Sequence, residues 1–171
     1  VPSPNAYRGD HRGTDASKYA PEAVAIIESL AAQGHPPAAF ICEPFYGNAG
    51  GMALPDGYLR AVYDAVRAAG GLAIADEVQV GYGRTGRWFW AFQQQEVVPD
   101  IVTVAKAMGN GQPLGAVITT RAIAEKYRTQ GSDIRSAVYK YEAPSAHETV
   151  RAVSGDDARF RGRDAAETTA A

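Results

Sequence analysis

The sequence predicts an α/β fold built on a mostly parallel sheet with flanking helices. Short apolar runs alternate with stretches of helical periodicity, the order expected of strands joined by crossover helices. Residues 72–75, LAIA, are apolar at every position, as in a parallel strand covered on both faces. Glycine and proline pairs punctuate the alternation where one element must end and the next begin.

Taken in order, residues 1–20 are rich in Pro, Gly and charge and read as surface loop. Residues 21–33, PEAVAIIESLAAQ, have helical spacing, with Pro21 tolerated in the first turn and Gly34 as a stop. PPAAFICE, residues 36–43, reads as a strand. Residues 55–69 form an amphipathic helix opened by Pro55-Asp56 and ended by Gly70-Gly71, and the strand LAIAD follows. Residues 88–95 are expected to form a short helix carrying Trp88, Phe89, Trp90 and Phe92. Pro99-Asp100 turns the chain into the strand IVTVA, residues 101–105, and after Gly109 a turn leads to the strand GAVITT and the helix RAIAEKYRTQ. From Gly131 onward charges of both signs mix with few periodic apolar residues. Such a segment has little burial to offset its ordering entropy, so residues 131–171 are expected to be disordered.

Composition limits the function classes. The chain has 171 residues, 46% of them hydrophobic, enough for one core, and a net charge of −2, which disfavours a nucleic-acid or anionic-membrane surface. No apolar run approaches the roughly 20 residues of a membrane span, and the opening VPSPNAYRGD is no signal peptide, so a cytoplasmic location is the default expectation. The single cysteine, Cys42, excludes an intrachain disulfide and is expected to fill a small buried space. His11, His35 and His147 show no metal-ligand spacing, and no metal site is expected.

The chemistry-bearing residues stand at strand ends. Asp76 closes one apolar strand and Lys106 follows another, which is where open α/β sheets place their ligands. A carboxylate and an amine so placed suggest a cofactor held between them, with the lysine in covalent reach of a carbonyl. From the residues alone, Lys106 also reads as a snorkelling strand-end lysine, Asp76 as a helix cap or ion-pair partner, Glu43 as a salt-bridged surface group, and Gln79 as an unremarkable loop residue. Gly81, Gly83 and Gly86 in GYGRTG suit a loop folded beside a cofactor or subunit boundary. They do not open a long helix as a dinucleotide fingerprint would, and the lysine precedes GNG, unlike a Walker motif. Arg84 and Arg87 read as phosphate ligands or as solvated charges, and RWFWAF as core, interface or pocket lining.

The stretches EPFYGNAGGMALPDGYL, LAIADEVQVGYGRTG, RWFWAF and VPDIVTVAKAMGNGQPLGA together resemble the cofactor-site region of class III aminotransferases, nearest in wording to the alanine–glyoxylate aminotransferase 2-like and phosphoethanolamine phospho-lyase branch. The resemblance runs to about Gly131. It implies part of the large domain of a fold type I pyridoxal 5'-phosphate enzyme over residues 1–130 and a tail foreign to the family over residues 131–171. It further implies that Lys106 is the Schiff-base lysine and proton carrier, that Asp76 pairs with the pyridine nitrogen, that Gln79 bonds the phenolic oxygen, and that Glu43 orients Gln79 or a substrate-side group. Asn48 replaces the glutamate that gates a substrate arginine in several relatives. The activity implied is transfer of an amino group between an amine or amino acid and an oxo acid, in a homodimer or higher oligomer. A phospho-lyase acting on a phosphorylated amino alcohol is the alternative, and a non-catalytic remnant a third. Enzymes of this family are at least twice as long, so the chain is expected to be a fragment lacking the phosphate-cradling loop, the stacking aromatic and the C-terminal domain, with weak cofactor linkage at best. A shifted frame or fused tail would account for the change after Gly131.

Overall fold

A computed structural model describes residues 1–129, so the expectation for residues 131–171 lies outside the described part. A 3-10 helix, Gly13–Lys18, leads into α1 (Tyr19–Ala32); β1 (Ala39–Cys42), β2 (Phe45–Tyr46) and β3 (Met52–Ala53) follow, then α2 (Tyr58–Ala68) and β4 (Leu72–Asp76). A 3-10 turn at Ala91–Gln95 precedes β5 (Ile101–Ala105), another at Lys106–Gly109 precedes β6 (Gly115–Thr119), and α3 (Arg121–Thr129) ends the described chain. The main sheet runs β1-β4-β5-β6; β1, β4 and β5 are parallel and β6 returns antiparallel to β5, which agrees with a mostly parallel sheet.

Helix α2 sets the core. Its Leu59, Val62, Tyr63 and Val66 recur at helical spacing and are fully buried, while Arg60, Asp64 and Arg67 stay exposed. The buried face meets Ala73 and Ala75 of β4, whose small side chains let the helix approach, with Val102 and Val104 of β5 beside them. Tyr19, Ala23 and Ile27 of α1 join the same core. Burial of the Tyr63 hydroxyl, whose oxygen has no hydrogen bond within the described residues, pushes its pKa up. Both helices end on glycines at positive φ. Gly70 (φ 86°) lets its own N–H reach Arg67 O and the Gly71 N–H reach Val66 O, and Gly34 (φ 79°) closes α1 in the same way.

Several expectations are corrected. Helix α2 starts at Tyr58, because Pro55 to Gly57 form a turn in which Pro55 O accepts the Tyr58 N–H and Gly57 takes φ 73°. The opening 20 residues are not all loop: Pro4, Ala16 and Tyr19 are buried. Among the described residues, strand β4 is fully covered on one face only. Buried and half-buried residues alternate along it and along β5, and no described element covers the face that carries Ile41 (56% exposed), Ile74 and Ile101. The β2–β3 hairpin carries no strand pattern in the sequence.

Asp100 ties three elements together at the start of β5. Its Oδ2 accepts Arg67 Nε from α2 at 3.0 Å and the Ala73 N–H of β4 at 2.8 Å, while Thr119 of β6 donates its hydroxyl to the Asp100 carbonyl. Partial burial opposes ionisation of the carboxyl, but the Arg67 and Ala73 hydrogen bonds and the Arg67 charge outweigh it and hold the pKa below its ordinary value. A carboxylate depressed in the folded state contributes stability that is complete above its unfolded pKa, about 3.8, and fades as pH falls through the lower folded value. Asp100→Asn is therefore expected to cost about 1–2 kcal/mol near neutrality and to flatten the stability loss between about pH 5 and pH 3, read by urea denaturation at a series of pH values.

Candidate functional site

Parallel pairing of β4 with β5 aligns Ile74 with Ile101 and Asp76 with Thr103, so both strands point their carboxyl ends to the same edge. There Asp76 is half-buried. Its Oδ1 accepts the Val78 N–H at 3.1 Å and the Thr103 hydroxyl at 3.3 Å, while Oδ2 takes no hydrogen bond from the described residues. One carboxylate thus caps the local turn with Oδ1 and leaves Oδ2 unengaged among the described residues.

Lys106 leaves β5 in the left-handed region at φ 47°, a conformation that costs a non-glycine residue about 1–2 kcal/mol. That kink opens the 3-10 turn Lys106–Gly109, and Nζ donates to Gln79 Oε1 at 2.5 Å. Lys106 is exposed among the described residues.

Glu77, adjacent to Asp76, faces the other way and is fully buried. Its Oε2 accepts the Ala91 N–H at 3.0 Å and its Oε1 the Phe92 N–H at 2.9 Å, capping the turn that follows the aromatic run. Burial raises its pKa, the two backbone N–H groups counter that, and the Asp76 charge adds to the rise. The loop between is packed by Tyr82, Phe89, Trp90 and Phe92, with Phe89 and Trp90 ring centres 4.7 Å apart edge to face. A Cβ on Gly81 would meet Glu77 O at 2.9 Å and the Trp90 ring at 3.1 Å, so only glycine fits there. Arg87 lies over the Trp88 ring, and Thr85 Oγ1 donates to Trp88 O.

This pinned loop and the β2–β3 hairpin border an open cavity of about 590 Å³, lined among others by Lys106, Gln79, Arg84, Thr85, Phe45 and Gly47. Asp76 and Glu43 are not among the lining residues. Glu43 does not bond Gln79 directly: its Oε2 accepts the Gly47 N–H at 2.8 Å and the Asn48 N–H at 3.4 Å, and its Oε1 accepts Asn48 Nδ2 at 3.0 Å. Cys42 is held as a thiol with its pKa pushed up to about 12, chiefly by burial and further by the Asp76 and Glu43 charges. No cluster of three or more potential metal ligands occurs among the described residues.

Lys106 and Asp76 thus stand at the carboxyl ends of adjacent parallel strands, the place where open α/β sheets bind ligands. The chain belongs to the class III aminotransferase family, whose sequence model matches residues 2–138. It is 49% identical over 137 residues to an alanine–glyoxylate aminotransferase 2-like protein of Drosophila melanogaster, covering 77% of this chain and 28% of that one. With a mitochondrial alanine–glyoxylate aminotransferase 2 homologue of Arabidopsis thaliana the identity is 53% over 122 residues, covering 71% and 25%. An Arthrobacter phospholyase solved in complex with phosphoethanolamine superposes with TM-score 0.62 at 43% identity, covering 67% of this chain and 27% of that one. The chain thus spans between 25% and 28% of the length of these two curated relatives.

Members of the family use pyridoxal phosphate. The residues here fit that group: an exposed amine, a carboxylate with an unengaged oxygen at the neighbouring strand end, and a cavity within the roughly 300–1,000 Å³ range of small-ligand sites. Glu77→Gln replaces one of two acceptor oxygens with an NH₂ that faces a backbone N–H. It is expected to cost about 1–3 kcal/mol, measured as a lower urea midpoint.

Proposed function

We propose that this chain carries the lysine-bearing part of a pyridoxal phosphate site that exchanges an amino group between an amine or amino acid and an oxo acid. Residues 1–130 then belong to the large cofactor-binding domain, and residues 131–171 stand outside it. The reading is carried by one observation: Lys106 and Asp76 end adjacent parallel strands, with Gln79 bonded to the lysine. Pyridoxal phosphate supplies, when bound, an aldehyde that takes up an amine and a ring that withdraws electrons from the neighbouring carbon.

In this reading Lys106 Nζ would hold the cofactor and, once displaced by the substrate amine, would carry a proton to and from the substrate carbon. Asp76 Oδ2, free of other hydrogen bonds among the described residues, would keep a proton on the ring nitrogen through its charge. Gln79 orients the lysine amine and the phenolic oxygen. Glu43 supports Gln79 from outside the cavity, through the hairpin backbone. Assembly as a homodimer or larger oligomer belongs to the same proposal. So does a cytoplasmic setting, although several relatives are named as mitochondrial; among the described residues no helix is long and apolar enough to cross a membrane.

A phospho-lyase acting on a phosphorylated amino alcohol is the second reading. Arg84 supports it, because this cation faces the cavity with no side-chain partner among the described residues, and so does the likeness to the Arthrobacter phospholyase.

Borohydride trapping tests the first point. After incubation with pyridoxal phosphate, reduction and peptide mapping, the phosphopyridoxyl group is expected on Lys106 in preference to the other lysines, and Lys106→Ala should abolish that preference. Even labelling across all lysines would favour a non-catalytic remnant. Phosphate release from phosphoethanolamine, set against amino transfer to glyoxylate or pyruvate, separates the two activities.

A further inference from the structure

Gly47 follows β2 in the hairpin and lines the cavity, yet its backbone does not need glycine: its φ is not in the left-handed region, unlike those of Gly50 (106°) and Gly51 (73°) nearby. The requirement is for space. A Cβ on Gly47 would overlap Gln79 Cγ and would sit 3.1 Å from both Gln79 Cβ and Glu43 Oε2, whereas one on Gly50 or Gly51 would meet nothing within 4 Å. The obstructed atom, Cγ, lies near the root of the Gln79 side chain, so relief requires rotation about χ1, which carries the terminal amide away. That amide is the group whose Oε1 accepts from Lys106 Nζ.

The other side of Gly47 is held as firmly. Its N–H donates to Glu43 Oε2 at 2.8 Å, and the same carboxylate takes the backbone and side-chain N–H groups of Asn48. The 2.8 Å bond from the Gly47 N–H to this charged acceptor is the strong one, and the 3.4 Å contact from the Asn48 N–H is weak. Gln94 Nε2 also donates to Pro44 O, tying the start of the hairpin to the aromatic loop.

We propose that Gly47 is a positioning residue for Lys106. Its bare Cα is the wall that keeps Gln79 in the rotamer that engages the lysine, and Glu43 fixes that wall in place. Glu43 thus acts on the lysine through Gly47 and Gln79 in series. The proposal rests on Lys106 being the cofactor-linking lysine for its functional meaning, but not for its geometry.

The test needs no cofactor. The full chain is exposed to limiting formaldehyde and cyanoborohydride, and methylation of Lys106 is read by mass spectrometry against Lys18 in the same molecule. Gly47→Ala is expected to change the Lys106:Lys18 ratio by about 2–10-fold, the range set by losing one hydrogen bond, in the same direction as Gln79→Ala. Adding Gly47→Ala to Gln79→Ala should produce no further change, and Glu43→Gln should move the ratio the same way by a smaller factor. A wild-type ratio in Gly47→Ala, or effects of the two substitutions that add, would overturn the proposal. Should Gly47→Ala fail to fold, the double variant must recover the fold because the obstructing Cγ is gone; failure to recover would equally overturn it. Trapping of pyridoxal phosphate on a different lysine would defeat the cofactor reading while leaving this ratio unaffected, so the two failures are distinguishable.

Discussion

In the ladder between β4 and β5, Ile74 pairs with Ile101, Ala75 with Val102 and Asp76 with Thr103, and the site inherits its layout from that register. Alternation along β4 turns Ala73, Ala75 and Glu77 toward the helices and leaves Asp76 on the opposite face. Sliding β4 by one residue would exchange the two carboxylates, burying Asp76 and turning Glu77 outward. Helix α2 prevents the slip, because only Ala73 and Ala75 are small enough to lie beneath its Leu59–Val66 face. Asp100 adds a polar lock to the same alignment, reaching α2 and β4 from the residue just before β5.

Around that frame the two acidic neighbours divide the work. Glu77 spends both oxygens on backbone N–H groups and so fixes the aromatic loop that brings Arg84 and Thr85 to the cavity. Asp76 spends one oxygen on the local turn and keeps the other available. Lys106 sits in a strained left-handed conformation where the strand ends, a cost of the kind that persists where the surrounding structure fixes the backbone. The strain, the free carboxylate oxygen and the Gln79 contact converge on one edge of the sheet.

Much of this was legible in the residues. The apolar runs of β4 and β5, the helical spacing of α2 and the Gly70-Gly71 stop are local patterns, and they led to Asp76 and Lys106 at strand ends. Other features leave no local mark. The β2–β3 hairpin is short and glycine-rich, without alternation to reveal it. One face of β4 is half-buried although its sequence is apolar throughout, since an apolar run does not tell which faces are covered by a given stretch of chain. Glu43 bonds to backbone N–H groups four and five residues on and Glu77 to ones fourteen and fifteen residues on, and any residue can supply such a donor, so their partners could not be read. Gly47 carries no local mark that separates it from Gly50 and Gly51; only packing against Gln79 distinguishes it.

The claim at the centre is that the unengaged oxygen of Asp76 faces a ring nitrogen in the same site that Lys106 serves. Comparing borohydride-trapped pyridoxal phosphate with its 1-deaza analogue, in which a C–H replaces that nitrogen, tests the pairing directly on the intact chain. Wild-type protein is expected to retain the natural compound on Lys106 several-fold better, because solvent access reduces the about 1.5–3 kcal/mol of a fully formed charged hydrogen bond to about 1 kcal/mol, and Asp76→Ala should lose that discrimination. Equal discrimination with and without the Asp76 carboxylate would contradict the pairing and leave Asp76 as a loop cap alone.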